Sequence, residues 1–282
     1  MQFELPGALG VPDGRYLARD DCGERVLVFE TVGAPRPPRR RRQRPKRAEP
    51  GAEPAPLPLT RVTAVRAHEP FESGGEAERW LEETLAGEVG GDVAIADAIA
   101  LLNRMLHAHA VASADPLGSE LRVERAAVVR IGHGSGKEVA AGRFTAAHEV
   151  DVGGSGRSQR RRRDEELRPQ ERLAAVIGGR ESLDACETLI LRARADLDAG
   201  RRREAALQLR VGLEAMLVEL DGALADPGHE EDMATLGARR NEAGTAANEA
   251  LHGELNATNL GAVRELLEVC ERVLRRRRVL RG

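Results

Sequence analysis

The chain has 282 residues, of which 41% are hydrophobic, 32% charged and only 2% aromatic, and its formal charge is -3. That length suits two ordinary domains of roughly 100 to 200 residues, each with a core of Leu, Val, Ala and a few Ile and Met. The scarcity of rings argues against base-stacking surfaces, and lysine occurs only at Lys46 and Lys137, an arginine bias of the kind a GC-rich genome produces.

The opening "MQFELPGALG" has neither a basic n-region nor an apolar run. No later stretch reaches the roughly 18 apolar residues of a spanning helix, so the chain reads as cytoplasmic with no membrane partner. Strand character runs from Gly14 to Asp20, turns at Asp21, Cys22 and Gly23, and resumes from Arg25 to Val32 as a hairpin. Residues 33–57 interleave prolines with Arg39, Arg40, Arg41, Arg42, Arg44, Lys46 and Arg47. They bury nothing to offset their ordering entropy and read as a disordered basic insertion. Strand pattern returns from Pro58 to His68. If that run pairs with the first hairpin, the insertion lies inside one domain, at a closure cost of only about 0.6 kcal/mol per doubling of loop length.

Ser73 and Glu76 stand at capping-box spacing and open a helix with Trp80, Leu81, Thr84 and Leu85 at helical intervals, ended by Gly90 and Gly91. A second helix from Asp92 to Ala112 places Ile95, Ile99, Leu102, Met105 and Leu106 on one stripe. An extended run from Leu121 to Ile131 enters "RIGHGSGKEVAAGR" (Arg130 to Arg143), with Arg143 to Val150 as its hairpin partner. Residues 1–152, patterned from about residue 12, therefore read as an α+β domain with a mostly antiparallel sheet and two helices.

Residues 153–163 have linker composition, and 164–282 read as an all-α helical bundle. Its expected helices run from Pro169 to Ile177, Leu183 to Asp198, Arg201 to Ala225, Glu231 to His252 and Thr258 to Leu280. The last has Leu260, Val263, Leu267, Cys270 and Leu274 spaced by threes and fours.

The glycine-rich stretch invites a phosphate-loop reading. A Walker A loop needs glycine where Ile131 stands and a hydroxyl where Glu138 stands, and a dinucleotide fingerprint needs glycine at Lys137. The alternation of Gly132, Gly134 and Gly136 with His133, Ser135 and Lys137 suits close backbone approach in a hairpin. An anion site on His133, Ser135 and Lys137 is the functional alternative, because a glycine-rich turn with a lysine forms an amide nest.

Cys22, Cys186 and Cys270 are far apart and odd in number, which suggests neither a disulfide framework nor a zinc site. His107 and His109 sit two apart, not at the i, i+4 metal spacing, and read as ordinary surface or boundary residues. No nucleophile motif occurs, so no catalytic residue, metal or cofactor is assigned and the balance leans away from an enzyme. Three arginine runs, Arg39 to Arg42, Arg160, Arg161, Arg162 and Arg163, and Arg275, Arg276, Arg277 and Arg278, read as exposed or flexible segments able to contact a polyanion.

The segment "ARADLDAGRRREAALQLRVGLEAML" (Ala193 to Leu217) has Gly200 between two helical runs and Glu204, Ala205 and Ala206 opening the second. It resembles one tetratricopeptide-type helical hairpin and is similar to the central hairpin of HEPN-type domains. Tetratricopeptide arrays repeat at about 34 residues, and no second copy stands in this chain. HEPN ribonucleases carry Arg followed within a few residues by His, whereas Arg240 and His252 are widely spaced here. The resemblance implies helical packing and dimerisation without catalysis. The expectation is a non-catalytic interaction or scaffolding protein that binds a protein partner or itself. Nucleic-acid or polyanion binding is the second reading, and an enzyme using the glycine-rich turn or the Arg240 and His252 region is the third.

Overall fold

The computed structural model describes residues 1–20, 23–33, 58–67, 69–118, 120–151 and 170–281. The chain forms two compact units, Met1–Ser155 and Gly156–Gly282. The bulk of the expected basic insertion, residues 34–57, and the expected linker lie outside the described residues.

The first unit is an antiparallel sheet of β1 (Gln2–Pro6), β2 (Gly14–Asp20), β3 (Gly23–Val32), β4 (Leu59–Arg66), β5 (Val128–His133) and β6 (Ala146–Glu149), in spatial order β2-β3-β4-β1-β5-β6. Strand β3 pairs with β4 from Arg25↔Arg66 to Val32↔Leu59. The stretch between Val32 and Leu59 therefore connects two neighbours of one sheet. The strand that reading from Gly14 onward misses is β1, which sits between β4 and β5. Its five residues alternate fully, with Phe3 and Leu5 on one face and Gln2 and Glu4 on the other.

Helices α1 (Gly74–Ala86) and α2 (Glu88–Ser113) follow β4. Ser73 caps α1, its hydroxyl accepting from Glu76 N at 3.2 Å while Glu76 Oε2 accepts from Glu72 N at 2.7 Å. The break between the helices falls at Gly87, and Gly90 and Gly91 lie inside α2. Ile95, Leu102 and Leu106 of the expected stripe are buried, and Ile99 and Met105 are partly buried. They pack with Phe3, Leu5, Leu27, Phe29, Val62 and Val129 of the sheet. The run before β5 is extended only from Val128, because Val123–Arg125 forms a 3-10 turn.

The opposite sheet face is polar. Gln2 Nε2 donates to Thr63 Oγ1 and to Gly142 O, both at 2.9 Å. Glu4 accepts from Arg130 at 2.9 Å and from Arg61 at 3.0 Å.

The second unit is helical: α4 over 170–177, α5 (Ala185–Asp198), α6 (Arg202–Glu219), α7 (Pro227–Ala238), α8 (Arg240–His252) and α9 (Ala257–Arg281), α3 being the short Gly136–Val139 of the first unit. Leu209, Leu213 and Met216 of α6 meet Val263, Leu266, Leu267, Cys270 and Leu274 of α9 in its core. Helix α8 presents only alanines to that core (Ala243, Ala246 and Ala250), so its backbone lies close to its neighbours. The single helix expected from Glu231 to His252 is two, α7 and α8, parted at Arg239. Helix α7 begins earlier, with Asp226 as its cap, accepting from His229 N at 2.9 Å, and proline in its first turn.

Burial alone opposes ionisation of Glu4, but the hydrogen bonds from Arg130 and Arg61 outweigh it and hold the carboxyl below its usual range. A lowered folded-state pKa gives stability that is present above the unfolded value, about 4.3, and is lost as the pH falls through the folded value. Glu4→Gln is expected to cost the first unit about 1–2 kcal/mol at pH 7, with the difference from the parent shrinking below pH 4, as read by urea denaturation at both pH values.

Candidate functional site

The glycine-rich stretch forms the β5–α3–β6 hairpin. Gly132 pairs with Ala147, and a Cβ on Gly132 would lie 2.4 Å from Ala146 O and 2.8 Å from Ala147 Cα. No larger residue fits there. Gly136 opens α3 at φ 56°, a left-handed conformation that glycine adopts without strain. His133 is half-buried with its Nε2 unpartnered, while Ser135 and Lys137 are exposed. After α3 the chain returns over the polar sheet face, where Gly142 O receives the Gln2 amide. The glycines thus serve the packing of a hairpin. Lys137 stands at its tip as an exposed cation.

Arg39 to Arg42 and Arg160 to Arg163 lie outside the described residues. Arg275 to Arg278 all lie on α9, and the helix divides them. Arg276 reaches Asp226 at 3.2 Å and Asp232 at 3.7 Å, and Arg277 pairs with Asp184, so these two tie α9 to α7 and to the start of α5. Arg272, one turn earlier, grips Asp232 at 2.8 Å. Arg275 and Arg278 point outward and are exposed. A run of four identical residues therefore contains two struts and two surface cations, a distinction the helical period makes and the composition does not.

Arg240 and His252 begin and end α8. At 1.5 Å rise per residue they stand roughly 18 Å apart, and Arg240 is bound to Glu214 at 2.6 Å. They do not form one site. Cys186 and Cys270 are buried, and burial first of all pushes both thiols up to about 12, so neither is a thiolate at neutral pH. Among the described residues no group of three or more His, Cys, Asp or Glu is placed to hold a metal, and no helix is long and apolar enough to cross a membrane.

The outer surface of the helical unit is less polar than its charge content suggests. Val211 and Val218 stand two turns apart on α6, 56% and 79% exposed, with half-buried Ala215 between them. Leu191 of α5 and Leu251 of α8 are 59% and 60% exposed. Comparison with known proteins supplies no relative: no family model, curated protein or solved structure matches the chain.

Gly132→Ala is expected to destabilise the first unit by about 1–3 kcal/mol through overpacking against β6, whereas Lys137→Ala is expected to change it by less than about 0.5 kcal/mol. Urea melts of both variants in ligand-free buffer check this. Equal stability of Gly132→Ala and the parent would show that β6 does not press on Gly132.

Proposed function

We propose that the protein acts by binding, with the helical unit as its interaction module and self-association as its mode. The apolar line Val211, Ala215 and Val218 on α6 carries the reading. Exposed valines at i and i+7 lie on one face of a helix, the pattern by which one helix presents itself to another. The hairpin of α5 and α6 overlaps the segment whose sequence resembles tetratricopeptide-type and HEPN-type hairpins, and this agrees with a helix-packing role.

Sedimentation velocity across a micromolar concentration series tests it. Reversible association is expected, weakened at least about tenfold by Val211→Glu with Val218→Glu, each buried charge costing well over the 1.4 kcal/mol of one decade, with an unchanged circular dichroism spectrum. A chain that stays monomeric, or an association that ignores the double substitution, would overturn the reading.

Polyanion binding is a second reading, favoured by Arg275 and Arg278, whose exposed side chains have no ion pair among the described residues. Filter binding to duplex DNA at low and moderate salt separates the two. Each phosphate contact contributes about -0.9 to the salt slope, so a flat response in the double alanine variant supports this reading and missing affinity at low salt removes it.

A further inference from the structure

The first unit contains a cavity of about 290 Å³ at the end of β1, walled by the β1–β2 connection, the last turns of α2 and the loop that follows. Leu5, Leu106 and Leu121 lie behind it and are closed to solvent, so the surface it opens is more polar than apolar. Asp115 and Arg125 bring opposite charges to it, and His109 brings a half-buried imidazole from the α2 wall.

Hydrogen bonds shape these walls from within the chain. Helix α2 ends at Ala114 in the left-handed conformation, φ 52° and ψ 38°, and Asp115 N donates to Ala110 O at 2.9 Å. Asn103 clamps the far side of the loop, donating to Leu121 O at 2.9 Å and accepting from Leu121 N at 2.8 Å.

The two charges are not spent on each other. Asp115 accepts from Leu117 N through Oδ1 at 2.9 Å, its one side-chain contact of this kind among the described residues. The side chains of Arg125 and His109 have no hydrogen bond or ion pair among the described residues. The last turn of α2 carries no basic residue, so the negative end of its dipole adds to the Asp115 carboxylate.

A simple anion drawn to Arg125 meets repulsion from Asp115, and a simple cation drawn to Asp115 meets repulsion from Arg125. A molecule that carries both charges satisfies both groups. The planar guanidinium fork matches a carboxylate, and a carboxylate acceptor such as Asp115 suits a primary ammonium with N–H groups to donate. Quaternary ammonium groups are recognised by aromatic faces, and no Phe, Tyr or Trp lines this cavity. At about 30 Å³ per water, the volume equals about ten waters, the scale of a ligand of roughly ten non-hydrogen atoms.

We propose that this cavity binds a small zwitterion of the free α-amino-acid class, its ammonium held by Asp115 beside the end of α2 and its carboxylate by Arg125 with His109. The site is in the sheet unit and stands independently of the association assigned to the helical unit.

The test is titration of the full chain at pH 7 with glycine, L-glutamine, N-acetyl-L-glutamine, which lacks the ammonium, and L-glutamine amide, which lacks the carboxylate. Calorimetry and amide chemical shifts read the binding. L-Glutamine is expected to saturate with a dissociation constant of about 1 mM or tighter and to shift amides of residues 106–121, with both blocked analogues at least about tenfold weaker. Arg125→Gln should weaken L-glutamine at least about tenfold without weakening the amide. Asp115→Asn, whose side-chain oxygen still accepts from Leu117 N, should do the same without weakening the acetylated form. Both positions are exposed, so an unchanged circular dichroism spectrum is expected of each variant. No saturation by glycine or L-glutamine up to about 10 mM would overturn the proposal. So would a blocked analogue that binds as tightly as L-glutamine, or an L-glutamine affinity that either substitution leaves unchanged.

Discussion

The first unit depends on β1 facing two environments at once. Cross-strand pairing places Phe29, Val62, Phe3 and Val129 in one row over β3, β4, β1 and β5, each no more than 2% exposed. One residue along, Glu30, Arg61 and Glu4 form a row on the other face, and Glu4 also receives Arg130. A slip of one residue would carry Glu4 into the apolar layer and Phe3 onto the polar face. Apolar burial and the carboxylate–guanidinium contacts therefore specify the same register, and the α2 packing surface and the β5–β6 hairpin both follow from it. Because so few aromatic residues exist, Phe3 and Phe29 supply a large share of the area buried there.

In the second unit arginine takes over part of the work of holding helices in place. Helix α9 supplies the longest apolar stripe, while Arg272, Arg276 and Arg277 on its flanks reach carboxylates of α7 and of the residue preceding α5. Arg194 of α5 reaches back to Glu271 at 2.6 Å. These pairs are partly buried, Asp232 and Arg277 being the most shielded, and the planar fork of a guanidinium against a carboxylate fixes orientation. With small side chains such as the alanines of α8 at the centre, orientation from the periphery has structural value. The arginine bias of the composition is thus partly absorbed by the fold, and Arg275 and Arg278 are among the cations that stay on the surface.

The α+β followed by all-α architecture was legible in the sequence because its signals are periodic: the α9 stripe, the α2 stripe and the Ser73 cap all occur as spacing predicts. Strand β1 escaped because five residues ending at a proline give too short a period to stand out from a chain start. The α7–α8 boundary at Arg239 has no proline or glycine of its own to mark it, whereas Asp226 and Pro227 do signal the start of α7. Gly132 was legible as a close-approach glycine, since alternation alone predicts a face without side chains. Which carboxylates Arg276 and Arg277 reach is not readable from the run, because Asp226 and Asp184 lie far away in the sequence.

Native-state hydrogen exchange of the β1 amides tests most directly whether that strand organises the sheet. The account predicts that Phe3 and Leu5 exchange only through global unfolding of the first unit, at rates matching their β4 partners and slower than the edge strands β2 and β6. Exchange of Phe3 and Leu5 as fast as that of β2 and β6, with β3 and β4 still protected, would contradict it.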